Sequence, residues 1–289
     1  MDIVDAHCHV IADNLVKYPR APLGGKQSAW ATSRPVTAAQ LAARMDDAGI
    51  GSAALVQATT AYGYDNSYVI DSARQHPGRF AVVGTVNPLL PDAAERLTGV
   101  AASGELDGVR LFTQGSTVPV QGEWFAAPES YPFWGAAEKT GVPVCLQMRL
   151  GAATPQLEDV LGRFPGAKVL LDHLGYPDIV ASPALAAEEV ARLARHPGLY
   201  LKLTHRSLEP LHAVGDAAID FLRPVTEAFG TGRIAWGSNC PAAEQPLDEL
   251  VKLARDVLGV LPEAVQADIF AGAARGLYQK LAPAPDPQQ

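Results

Sequence analysis

The chain has 289 residues, of which 48% are apolar and 19% charged, with a formal net charge of −8. The apolar share supports a large core and excludes disorder over most of the length. The acidic balance excludes a phosphate-tracking nucleic-acid binder, which needs a basic excess to displace counterions. No apolar run reaches the roughly 18 residues that a bilayer requires, so no membrane partner is expected. The opening Met1–His7 has no basic stretch followed by an apolar one, so no secretory signal is expected. Cys8, Cys145 and Cys240 lie far apart and match no zinc spacing. A reducing, cytoplasmic setting without disulfides is the corresponding expectation.

Runs rich in Val, Ile and Leu recur along the chain at Ile3–His9, Ser52–Gln57, Phe80–Val86, Leu106–Phe112, Val142–Met148, Lys168–Leu174, Leu199–Thr204 and Ile234–Ser238. Most are uninterrupted, as in parallel strands buried on both faces. Helical spacing fills the intervals at Thr37–Ala48, Asn66–Gln75, Pro91–Ala102, Tyr131–Lys139, Thr154–Gly162, Pro183–Arg195, Pro210–Phe229 and Pro246–Val257. Thr37 and Thr154 are expected N-caps, and Gly49 follows the first helix as a stop. Strand then helix, eight times over, predicts an α/β fold of the (β/α)8 TIM-barrel type, one domain over residues 1–282 with a disordered tail at 283–289. A doubly wound dinucleotide fold would want Gly-x-Gly-x-x-Gly after a strand, and none occurs.

Two connections are long, Val10–Val36 with Trp30 and Thr113–Ser130 with Trp124 and Phe125. Both follow strands, at the barrel end that carries active sites.

The chemistry-bearing residues fall at the same end. In Asp-Ala-His7-Cys8-His9 the alternation of a strand puts both imidazoles on one face and Cys8 on the other. Such a pair can hold a metal ion or grip a carbonyl or carboxylate. In Leu171-Asp172-His173-Leu-Gly, His173 is expected to share its face with Leu171 and Asp172 to lie opposite. Asn239, in Trp-Gly-Ser-Asn-Cys-Pro, stands where a carboxylate would be most useful beside three lumenal histidines. Arg110 ends the fourth run, Gln147 and Arg149 the fifth, and Lys202, His205 and Arg206 the seventh. An arginine in an apolar strand is costly unless it meets an anion. Together these residues and Trp30 predict a locally positive pocket for an anionic small molecule. The competing reading pairs the cations structurally with Asp172, Glu209 and Asp107.

Asp-Ala-His7-Cys-His9, Gly-Val-Arg110-Leu, Leu-Asp-His173-Leu-Gly and Trp-Gly-Ser-Asn239-Cys-Pro resemble the amidohydrolase-related proteins of amidohydrolase family 2, and among them the pyrone-dicarboxylate lactonase and sugar-lactonase branch. The closing Ala271–Tyr278 is similar to that family's last helix without its usual Asn. The resemblance implies a hydrolase that opens a lactone or similar cyclic ester or amide. It implies that His7, His9 and His173 polarise the substrate carbonyl without a metal, or hold a single Zn²⁺ or Mn²⁺ in metal-dependent relatives. It also implies that Arg110 and Arg206 bind carboxylates. The family usually has Asp, as general base or metal ligand, where Asn239 stands, and Asn cannot accept that proton. A neutral imidazole is the best substitute, with Asn239 orienting water. Gln147 on the fifth strand argues against a binuclear metal centre. The alternatives are a metal-dependent decarboxylase or hydratase of the same superfamily, and a metabolite-binding barrel that has lost its base. The oligomeric state stays open, including a homo-oligomer.

Overall fold

The structure, a computed structural model, describes residues 1–282 apart from Ser116 and Pro119; the tail expected at 283–289 lies outside them. Eight strands form one parallel sheet in sequence order: β1 (Val4–Cys8), β2 (Ser52–Val56), β3 (Phe80–Thr85), β4 (Gly108–Phe112), β5 (Val144–Gln147), β6 (Val169–Leu171), β7 (Leu199–Leu203) and β8 (Ile234–Trp236). Each matches one of the expected runs, shortened at its ends. Just beyond β8 the sheet rolls shut. Asn239 N–H donates to the His7 carbonyl and His9 N–H to the Cys240 carbonyl, both at 2.7 Å. This is a (β/α)8 barrel.

Gly237 makes the closure possible. A Cβ there would lie 2.8 Å from the His7 nitrogen, so only glycine lets the two segments approach. A bulge in β1 between Asp5 and Cys8 shifts the register against β2. Val4 and Ala6 join the cluster inside the barrel, while Cys8 packs in the outer layer against the helices.

The lumen is filled by small side chains, among them Ala6, Ala54, Ala81, Cys145 and Ala235, and closed from below by the fully buried Tyr278. The larger core lies between sheet and helices and includes Trp134, Phe133, Phe221 and Trp236. The Ala38–Ala48 helix carries the expected cap: Thr37 Oγ1 accepts from Gln40 N–H, and Gln40 returns the bond to the Thr37 amide. Thr154 departs from expectation. It is the first helical residue of Thr154–Arg163, and its hydroxyl accepts from Gly151 N–H.

One expected helix, Pro210–Phe229, is two. His205–Ala213 and Ile219–Phe229 are separated at Gly215, whose φ of +57° breaks the helical course. The first piece starts earlier than Pro210 because it begins directly off β7.

Candidate active site

His7 lies within the bulge of β1 and His9 directly after the strand. Their ring centroids lie 4.9 Å apart, and that of His173 lies 5.2 Å from His7. The three imidazoles therefore converge at the carboxyl ends of the strands.

His173 gets there by a route that alternation does not describe. Leu170 faces the lumen and Leu171 the helices, so simple continuation would send Asp172 inward and His173 outward. The strand ends at Leu171. His173 and Leu174 then adopt left-handed backbone, φ 58° and 57°, which swings the ring to the mouth. There His173 Nδ1 meets Thr204 Oγ1 at 2.7 Å.

The expectation that Asp172 lies opposite the site is thereby corrected. It sits fully buried below the imidazoles, with Arg110 Nε donating to Oδ2 at 3.0 Å, Lys202 Nζ at 3.2 Å from Oδ1 and His7 Nδ1 at 3.5 Å from Oδ1. Burial pushes its carboxyl up, but Lys202, His7 and Arg110 outweigh this and hold it well below the usual range. Lys202 answers in kind: burial lowers it, yet Asp172 raises the ammonium above its ordinary value. The pairing of cations by Asp172 thus describes Arg110 and Lys202. Glu209 accepts instead from Gln245, and Asp107 pairs with Lys280.

Above this layer opens a cavity of about 360 Å³. His9, His173 and Asn239 line its floor, and Arg110, Arg149 and Arg206 its walls. Arg110 also donates to Gln147 Oε1, and Gln147 Nε2 to the Tyr176 hydroxyl at 3.2 Å. Arg149 stacks its guanidinium over the Tyr176 ring at 4.6 Å. Arg149 and Arg206 are exposed, and among the described residues neither is ion-paired with a carboxylate. Trp30 covers His9 from the side. Lys202 lies beneath the floor, and His205 opens the helix after β7 outside the cavity lining. Tyr176 escaped sequence reasoning because it follows the strand end, on a φ of +58°; its only signal was its nearness to the Asp-His-Leu-Gly motif.

All three rings are neutral near pH 7. Burial drives His7 and His173 well below their ordinary value and His9 to about 4, the last with help from Arg110. Asp5 stabilises the seam: it accepts from the amides of His7 and Ser238 and from the Ser238 hydroxyl, while burial raises its carboxyl to about 6.

The donor set here is poor in free anionic ligands. Among the described residues no group of three His, Cys, Asp or Glu converges as a ligand set. The buried carboxylate is engaged by two cations, the strand-eight position offers a neutral amide, and an ammonium sits 3.3 Å from His7 Nδ1. Such a floor suits a carbonyl oxygen or an anion.

The amidohydrolase family profile matches residues 4–280. The chain belongs to the amidohydrolase family. It is an enzyme of that class. It is 28% identical over 253 residues to 2-pyrone-4,6-dicarboxylate hydrolase of Comamonas testosteroni, covering 82% of this chain and 76% of that one. It is 25% identical over 183 residues to L-fucono-1,5-lactonase of Burkholderia ambifaria, covering 62% of this chain and 61% of the relative. A crystal structure of an amidohydrolase from Burkholderia multivorans with bound zinc superposes with a TM-score of 0.72 at 20% identity, over 96% of this chain and 99% of that one. At that identity the likeness concerns the fold.

Proposed function

We propose that this amidohydrolase opens a lactone-like cyclic ester of an anionic small molecule. The observation that carries this reading is the pairing of exposed guanidinium groups on the cavity wall with neutral imidazoles on its floor. Arg149 and Arg206 bind the substrate's carboxylate or oxo groups. The imidazoles of His9 and His173 face the reacting carbonyl from the cavity floor, with His7 fully buried between them just behind the lining, and N–H donors there lower the cost of a developing oxyanion. Asn239 orients the attacking water. Burial keeps the rings unprotonated at neutral pH and so free to accept a proton, while leaving them weaker bases than an imidazole that titrates near the working pH. The two lactone-acting relatives support the same reaction class.

A panel of lactones with and without ring carboxylates, assayed with and without a chelator, tests the proposal. The expected result is ring opening of a carboxylated lactone at a rate the chelator leaves unchanged. Release of CO₂ without ring opening, or activity that requires added Zn²⁺ or Mn²⁺, would replace it with the metal-dependent lyase reading.

A further inference from the structure

Lys202 is wholly buried below the imidazoles, and the reaction as described leaves it without a task. Its ammonium has three N–H protons and no lone pair. It hydrogen-bonds Cys145 Sγ at 3.0 Å and His7 Nδ1 at 3.3 Å, and forms an ion pair with Asp172, whose Oδ1 lies 3.2 Å away without a hydrogen bond. An ammonium can only donate, so in the 3.3 Å contact His7 Nδ1 accepts. A neutral imidazole that accepts at Nδ1 carries its hydrogen on Nε2. That Nε2 is buried and has no partner among the described residues.

His9 is set the other way. Its Nδ1 lies 2.7 Å from the Val56 carbonyl, which can only accept, so Nδ1 carries the hydrogen and Nε2 is a lone pair. Asn239 Oδ1 is placed 3.2 Å from that Nε2; since this would set lone pair against lone pair, the hydrogen-bond pattern assigns the amide the other way round, its NH₂ toward His9 and its carbonyl toward the cavity. An aspartate would not serve an unprotonated His9 in the same way.

We infer that Lys202 is a positioning residue that fixes His7 as an Nε2–H donor, while Val56 fixes the neighbouring His9 as an Nε2 acceptor, giving the two rings opposite roles. The division of labour rests on the hydrolase reading; the hydrogen positions do not. Water held by Asn239 Oδ1 attacks the carbonyl carbon and passes its proton to His9 Nε2, whose lone pair gives up its hydrogen bond from the Asn239 NH₂ to take it. The carbonyl π pair moves onto oxygen, against His7 Nε2–H. Collapse of the adduct breaks the ring C–O bond, and the imidazolium of His9 returns the proton to the leaving oxygen. Lactone and water are consumed and one hydroxy acid is formed.

Long-range ¹H–¹⁵N spectra of the ¹⁵N-histidine-labelled protein, without substrate and assigned with His7→Gln and His9→Gln, test the inference. The expected result is a protonated Nε2 in His7 and a protonated Nδ1 in His9; the same tautomer in both rings would overturn it. In Lys202→Met, Asp172 Oδ1 becomes the nearest partner of His7 Nδ1. The His7 pattern then inverts while that of His9 stays, and kcat falls roughly 100-fold with KM little changed. A folded Lys202→Met with an unaltered His7 spectrum removes Lys202 from the role. An inverted spectrum with unaltered kcat removes the catalytic division instead. If Lys202→Met does not fold, the parent spectrum decides alone. If no lactone is turned over, the hydrolase reading fails and the tautomers stand or fall by the spectrum.

Discussion

The indole of Trp30 lies over the imidazole of His9, ring centroids 5.4 Å apart and planes 24° from parallel. Trp30 comes from the long connection after β1, so the loop that borders the cavity also fixes a ring on its floor. Stacked pairs are worth about 0.5–1.5 kcal/mol beyond burial. Trp30→Ala is therefore expected to lower kcat/KM about 10-fold, and steady-state kinetics would show it. Unchanged kinetics would mean that β1 alone orients His9.

Arg149 stands over Tyr176 at the cavity edge, away from the buried ion pairs. Replacing it removes a charge-assisted hydrogen bond to a bound anion, worth about 1.5–3 kcal/mol. For Arg149→Met the expected outcome is KM raised between roughly 10-fold and 100-fold, with kcat little altered. An uncharged lactone should not register the change.

Asp172 is the shared counter-charge of Arg110 and Lys202 inside the barrel. Asp172→Asn keeps the volume but leaves two buried cations without an anion. Breaking a buried pair in this way costs about 3–5 kcal/mol. Urea unfolding should give a lower midpoint with the slope preserved; an unchanged midpoint would show that the cations find another counter-charge.

His205 gives the protein an acid-sensitive term. Burial, with the neighbouring Arg206, lowers its pKa from 6.5 to about 4. Between those values the unfolded chain binds more protons than the folded one. The stability from this ring is complete above pH 6.5 and is lost as pH falls toward 4, on the order of 3 kcal/mol. His205→Gln should lose less stability over that window than the parent, as read from urea midpoints at a series of pH values. Parallel curves would locate the acid sensitivity elsewhere.

The barrel was legible because its signal is local. Each strand is an apolar run and each interval has helical spacing, so eight units could be counted without knowing any contact. Strand alternation also described His9 and Lys202. It failed at β6, where Leu170 faces the lumen so that Asp172 points inward, and where left-handed backbone at His173 and Leu174 brings the His173 ring to the same mouth instead of the opposite face. The depth of Lys202 could not be read either. A lysine between leucines shows a direction, but its burial depends on Cys145, Asp172 and His7, which come from three other strands or strand ends. Tyr176 and Thr204 join the site through loop geometry, which leaves no periodic trace.

The seam between β1 and the segment after β8 sets an order of events in the life of the chain. His9 and Asn239, which meet across it, are 230 positions apart, so a ribosome has released most of the polypeptide before the floor of the cavity can exist. Activity therefore arrives with the last strand, and a chain cut short of it would retain the imidazoles of β1 with nothing facing them.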